Sequence, residues 1–475
     1  MIEFKPGLQP GGPMTQRHPI VREWVHVSYP ETARFTEAYG FAGSQGRVNL
    51  EGLLIRPAAG TGRTLYLMMH PASTLNLLPL PTAMAEAGHP VLCMGSRYVK
   101  NDAPLIYENV ALDLNACIRH AREMLGYEKV VLLGWSGGGS LALFYQSQAQ
   151  RPTITHTPAG DPVDLTAADL LPADAVVLEA AHRARARCLV DWIDPSVIDE
   201  ANPDRRDPRL DLYSPTLPVR PPYPADWLAE YRAAQVARVR RITARVQETL
   251  DMLKRKGTSE LERGFTTHRT LADPRFLDGS IEPNDRRVGW CYLGQPETVN
   301  TGPVGLARFS TLRGWLSQWS IDHSRADGET CARDVMVPLL AIEHSADDAV
   351  PQPDMGLMYQ ACGSRDKTFH CIRGANHYFK GQPEQLRESV QLLGDWAGQR
   401  GLWRPPRHAS SHQSLNQGSD PCPSHSRPPP TGKPKSCISS RSHPTSMPPS
   451  PRATPTCWSS SATTASWWST RPPRP

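Results

Sequence analysis

The run KVVLLGWSGGGSL at residues 129–141 constrains the fold of this chain more than any other segment. Val130 to Leu133 form a short apolar, β-branched run that reads as a fully buried strand. Leu141, Ala142, Phe144 and Tyr145 then open a helical pattern. Between them lies Gly134-x-Ser136-x-Gly138, a serine on a sharp strand-to-helix turn. Such a turn crowds any Cβ, which accounts for the glycines, and it leaves the next backbone N–H free to face an anion. The plainer alternative is a glycine-rich turn carrying an idle serine. A phosphate-binding role fits less well, because the glycines do not follow G-x-G-x-x-G and no lysine succeeds them.

The surrounding pattern alternates. Val25–Tyr29 and Val48–Ile55 read as short strands opening a sheet in antiparallel fashion. Strands are predicted at Thr64–Met69, Pro90–Met94, Val130–Leu133 and Ala175–Ala181, with helices at Pro81–Ala87, Glu108–Leu125 and after Ser136. Strands separated by helices of this length imply right-handed crossovers. The fold class is therefore α/β, a mostly parallel sheet with helices on both faces. After Ala181 the rhythm breaks into a segment rich in Arg, Asp and Pro. It holds one long amphipathic helix with the stripe Val236, Val239, Ile242, Val246, Leu250 and Leu253, closed by Gly257. The arginines of that helix are expected on a solvated face. Alternation resumes with strands Val337–Glu343 and Thr368–Ile372 and helices Pro353–Ala361 and Pro383–Trp396. The expected organisation is an N-terminal extension (1–47), a core in two parts (48–181 and 332–400), a helical cap inserted after the sixth strand (182–331), and a tail (401–475).

Composition limits the partners. The chain has 52 Lys and Arg against 47 Asp and Glu, a net charge of +5. From Arg407 onward there are eight basic residues against Asp420 alone, which leaves 44 basic and 46 acidic residues before that point. A nearly neutral body implies no nucleic-acid partner. Ten cysteines without a C-x-x-C pair suggest reduced thiols, and no H-E-x-x-H or zinc pattern occurs, so no metal is expected. No apolar stretch suits a secretory signal or a membrane span. The expectation is a cytoplasmic protein acting on a small molecule away from membranes, with Met14 a candidate start. From Leu402 the composition shifts to Pro, Ser, Thr, Arg, His, Cys and Trp with few aliphatics. Such a tail suits disorder or a GC-rich frame translated out of register.

A nucleophilic serine needs a base and an acid that orients it. After the strand ending at Glu343 comes HSADDAVP (344–351), and after the next strand GANHYF (374–379). Both loops fall at carboxyl ends of strands, on the side of the sheet that carries Ser136. The order Ser, Asp, His and these motifs together resemble the α/β-hydrolase family over residues 48–181 and 332–400. The resemblance implies Asp347 rather than Asp348 as acid, with Glu179 a rival position, and His377 as base. His344 stands where glycine is usual. His70-Pro71-Ala72-Ser73 is similar to the family's first oxyanion loop, which implies donors at Ala72 and Gly137, since Pro71 has no N–H. His70 and His344 are expected to be structural.

Taken together, the implied activity is a serine hydrolase of a small or medium carboxylic ester or lactone, needing no cofactor. Hydrolysis of carbon–carbon or amide bonds on the same fold, or a non-catalytic ligand-binding role, remains the alternative. Trp192, Trp227, Trp290, Trp315 and Trp319 offer rigid apolar surface in the cap, with three of the five expected in its own core. Arg183, Arg185 and Arg187 are expected to form a surface run rather than a carboxylate site.

Overall fold

A computed structural model of the chain describes residues 17–30, 46–60, 62–282 and 284–403. The tail, from residue 404 on, and most of the expected N-terminal extension lie outside the described residues. In chain order the first elements are β1 (Ile20–Pro30), β2 (Arg47–Pro57), β3 (Thr64–His70), α1 (Pro79–Glu86), β4 (Val91–Gly95), α2 (Tyr107–Glu123), β5 (Lys129–Trp135), α3 (Gly137–Gln150) and β6 (Ala175–Glu179). The insertion follows, with α4 (Arg185–Trp192), α5 (Ala225–Lys256), β7 (Gly264–Thr266), α6 (Pro296–Thr301), β8 (Phe309–Thr311), α7 (Leu312–Gln318) and α8 (Gly328–Ala332). The chain closes with β9 (Leu339–His344), α9 (Asp354–Ala361), β10 (Lys367–Ile372) and α10 (Pro383–Gln399).

Eight strands form one sheet in the order β1-β2-β4-β3-β5-β6-β9-β10. β1 and β2 pair antiparallel, β2 meets β4 antiparallel, and every pairing from β4 to β10 is parallel. β1 and β2 are the antiparallel opening expected of Val25–Tyr29 and Val48–Ile55, with Val25 and Val27 alternating inward, so the sheet begins near Ile20, inside the segment 1–47 set apart as an extension.

Strand periodicity builds the two layers. Leu65, Leu67, Met69, Val130, Leu132, Val176 and Leu178 point to one face, where α2 and α3 cover them. Their neighbours Tyr66, Met68, Val131, Leu133 and Val177 point to the other face, beneath α1 and α10. Burial on both faces is why these strands are apolar throughout rather than alternating. Parallel strands also share one carboxyl edge, so the loops after β3, β5, β6, β9 and β10 emerge together.

Between β6 and β9 the chain leaves the sheet. Helix α5 buries Val239, Ile242, Val246, Leu250 and Leu253 against Trp315, Leu316 and Trp319, and ends at Gly257 with φ +60°. Its arginines divide. Arg240 and Arg241 are exposed, as expected, but Arg238 is fully buried. Its guanidinium bonds Glu200 at 2.7 and 2.8 Å and the carbonyls of Asp194 and His268 at 2.7 and 2.8 Å. A stripe argument misses such a residue, because a buried arginine is tolerated only where tertiary acceptors satisfy the whole fork. Among the described residues no helix is long and apolar enough to cross a membrane, and the seven described cysteines are unpaired.

Replacing Arg238 by leucine removes its bonds to three carbonyls and leaves Glu200 with Arg241 alone, at 3.4 Å. We expect Arg238→Leu to lower stability by about 3–5 kcal/mol, read from urea unfolding; a loss under 1 kcal/mol would mean the pairing is not structural.

Candidate active site

Ser136 sits between β5 and α3 with φ 54° and ψ −124°, a conformation that costs a non-glycine residue about 1–3 kcal/mol. Close packing enforces it. A Cβ on Gly134 would come 2.5 Å from the Gly138 carbonyl oxygen, and one on Gly138 would come 2.6 Å from the Met69 carbonyl oxygen. A Cβ on Gly139 would overlap the Ala181 side chain. The first turn of α3 therefore lies directly on the ends of β3 and β6. The Ser136 N–H is anchored on the Glu179 carbonyl at 3.2 Å.

Ser136 and His377 line one cavity of about 290 Å³. His377 reaches it from the loop after β10, and its Nδ1 lies 3.0 Å from Asp347 Oδ2 on the loop after β9. Both side chains are almost fully buried. Trp135 stacks on the His377 ring at 4.4 Å between centroids, Tyr378 meets it edge-on at 4.8 Å, and the Trp135 indole N–H donates to the His377 carbonyl at 3.3 Å. Asp347 Oδ1 accepts the N–H groups of Ala349 and Val350 at 2.8 and 2.7 Å. Burial would raise this carboxyl's pKa, but His377 and these amide donors hold it below the usual carboxylate value. Asp348 makes no such bond to the imidazole, and burial beside Asp347 raises its pKa. The geometry thus separates two adjacent aspartates.

The insertion holds the acid loop. Arg286 Nη1 donates to the Asp347 carbonyl at 3.2 Å, the Tyr292 N–H donates to the Asp348 carbonyl at 2.9 Å, and Ser345 donates to Asp285. None of these contacts was legible in the sequence.

Glu179, the rival acid, bonds elsewhere. Its Oε1 lies 3.4 Å from His344 Nε2 and accepts the Ser389 hydroxyl at 2.5 Å, while His344 Nδ1 faces the Asn376 carbonyl at 3.0 Å. This second buried pair ties β6, β9 and α10 to the residue preceding His377, which explains a histidine where the related motif has glycine.

One expected donor is not available. The Ala72 N–H points to His70 Nδ1 at 3.1 Å, and the Ser73 N–H shares that acceptor at 2.9 Å. The loop curls back on the imidazole, so the Ala72 amide is spent within it. Gly137, at the first position of α3, keeps an N–H with no intrahelical acceptor.

His70, His182 and Arg185 also line the cavity. Of the three arginines expected on the surface, Arg183 binds Asp354 at 2.8 Å and Arg187 binds Asp327 at 3.0 Å. Arg185 is buried instead, paired with Asp102 and stacked 4.4 Å over Trp319. Each guanidinium has an acid contributed from far along the chain, which local reading cannot see. Of the tryptophans, Trp227, Trp315 and Trp319 are core, Trp192 lines the cavity, and Trp290 is exposed under Arg287. Among the described residues no cluster of three or more His, Cys, Asp or Glu is arranged to hold a metal ion.

The strand order, with a serine elbow after β5 and the insertion after β6, is that of the α/β-hydrolase fold. No known family's sequence profile matches the chain, and no curated protein is similar to it in sequence. Solved structures similar to it include a complex of DcsB with its substrate analogue (12% identity, 80% of this chain and 99% of that chain, TM-score 0.44). A monoacylglycerol lipase from Paleococcus ferrophilus is 18% identical over 71% of this chain and 95% of its own, with a TM-score of 0.35. The esterase domain of a Rhodothermus marinus protein is 14% identical over 79% and 98%, with a TM-score of 0.38.

The His344–Glu179 pair makes a prediction about pH. Burial opposes charge on His344, but the bond to Glu179 and its charge prevail, and the pKa lies above the ordinary 6.5. The folded state then holds a proton that the unfolded chain releases. The stabilisation is complete below the unfolded pKa and is lost as pH rises through the folded one. Stability should fall with rising pH above about 6.5, by at most about 1.4 kcal/mol per unit from this group. His344→Gln should flatten that slope in urea titrations; an unchanged slope would refute the assignment.

Proposed function

We propose that the protein is a serine hydrolase that cleaves a carboxylic ester or lactone through an acyl-enzyme. The observation that carries this reading is the buried 3.0 Å pair between His377 Nδ1 and Asp347 Oδ2, with His377 lining the same cavity as Ser136 at its strained turn. With the Nδ1 proton held by Asp347, His377 Nε2 is free to act as base. It takes the Ser136 proton as Oγ bonds to the substrate's carbonyl carbon. The carbonyl π electrons move to oxygen, where the Gly137 N–H donates to the anion. Collapse re-forms the carbonyl and expels an alkoxide, which takes the proton from His377. Water, deprotonated by His377, then attacks the acyl-enzyme and releases the acid and Ser136. The chain's own residues supply every proton transfer in this route, so it calls on no cofactor.

Residues 182–331 serve in this reading as a cap. Trp192, Tyr292 and Leu306 from the insertion meet Trp135 and Tyr378 from the core around the serine. A cavity of about 290 Å³ with these walls suits a small or medium ester bearing an apolar or aromatic part.

A fluorophosphonate probe should label the wild-type chain and not Ser136→Ala, and the wild type should hydrolyse p-nitrophenyl esters or lactones in preference to anilides. Asp347→Asn, which leaves His377 in the wrong tautomer, should lower kcat on the order of 10⁴-fold. No labelling of the wild type and no turnover of any ester would overturn the reading in favour of a binding protein.

A further inference from the structure

We infer that His70 supplies its Nε2–H as a side-chain donor to the oxyanion, in place of a backbone amide of the loop after β3; this rests on the serine-hydrolase reading above. On this fold the second donor ordinarily comes from an N–H in that loop. Here none is free. Pro71 has no N–H, and the amides of Ala72 and Ser73 both donate to His70 Nδ1, at 3.1 and 2.9 Å. The two amides nearest the end of β3 are thus given to an imidazole.

Those same two bonds decide where the imidazole's own proton is. A nitrogen that accepts two N–H groups carries no hydrogen, so a neutral His70 ring bears its proton on Nε2. The ring stays neutral because burial, the Arg185 guanidinium and the neighbouring histidines all disfavour a charge on it, holding its pKa well below the ordinary imidazole value. A single, fixed tautomer results without any carboxylate.

The protonated nitrogen also lies in the right place. The space that a Cβ on Gly137 would fill is 2.6 Å from His70 Nε2. Nε2 therefore flanks the residue immediately after Ser136, whose own N–H is the other donor. It makes no hydrogen bond to the described residues and borders the cavity through His70. A side chain at position 137 would occlude it, which gives that glycine a second reason beyond the turn. His182 approaches the same space, its Nε2 at 3.2 Å, but its Nδ1 is buried without a partner, so no bond fixes its proton. Of the two histidines, only His70 is pre-set as a donor, and a pre-set donor is what lowers a barrier without reorganisation.

Two isosteric variants separate this role from bracing of the loop. In His70→Asn the side-chain oxygen takes the place of Nδ1 and keeps the Ala72 and Ser73 amides, but nothing reaches the Nε2 position. In His70→Gln an amide N–H reaches the Nε2 position while the Nδ1 acceptor is lost. With p-nitrophenyl acetate and the full chain, His70→Asn should lose on the order of 10²–10³ in kcat with little change in KM, and His70→Gln should retain more. A trifluoromethyl ketone, whose serine adduct carries an oxyanion, should weaken in parallel with kcat across the two variants. Wild-type kcat in His70→Asn, or a loss in His70→Gln equal to or larger than in His70→Asn, would assign His70 to bracing and overturn the inference. Wild-type protein that neither turns over esters nor reacts with a fluorophosphonate would instead remove the serine-hydrolase reading itself.

Discussion

The first turn of α3 can lie on the ends of β3 and β6 only because it carries no side chains there. Gly138 packs on the Met69 carbonyl and Gly139 on Ala181, both at separations that no Cβ permits. This approach holds Ser136 in its positive-φ conformation, since the strand before it and the helix after it are each fixed by the sheet. It also brings the Gly137 amide beside the end of β3, where His70 stands. A small steric allowance on one helix face therefore sets the positions of the serine, one backbone donor and the imidazole beside it.

Two buried imidazole–carboxylate pairs stand side by side at the same edge of the sheet, and they do different work. His377, held by Asp347, lines the cavity with its second ring nitrogen unbonded to the described residues. His344 and Glu179 sit behind them, with both ring nitrogens occupied by the protein. An imidazole spent on both sides can position a loop but cannot exchange a proton with a ligand. The two histidines thus differ in how many ring nitrogens the protein itself occupies.

The insertion also reaches into the core's loops. Arg286 and Tyr292 hold the backbone carbonyls of Asp347 and Asp348, and Asp285 receives Ser345, so the acid loop is braced from outside the core. Buried or half-buried arginines recur through this segment, each with its acid: Arg238 with Glu200, Arg269 with Asp194, Arg275 with Asp273. These charge-assisted bonds pin the loops between the segment's apolar clusters. The partners of Arg238 and Arg269 are distant in sequence, whereas Asp273 lies two residues from Arg275, so Arg238 read locally as part of a solvated helix face.

The parallel sheet, its two covered faces, the long helix with its Gly257 terminus, and the residues at 136, 347 and 377 were all legible in the linear chain. They rest on local rules: apolar runs of strand length, helical periodicity, and turn residues at carboxyl ends of strands, which topology gathers at one edge. Two matters were decided only by the fold. The Ala72 amide turned to His70 because a proline loop curled back on the ring, and Arg185 moved from surface to cavity because Asp102 and Trp319 came to meet it. In each case the deciding partner lies off the local pattern, and a hydrogen bond's direction is a property of three-dimensional geometry that residue order does not encode.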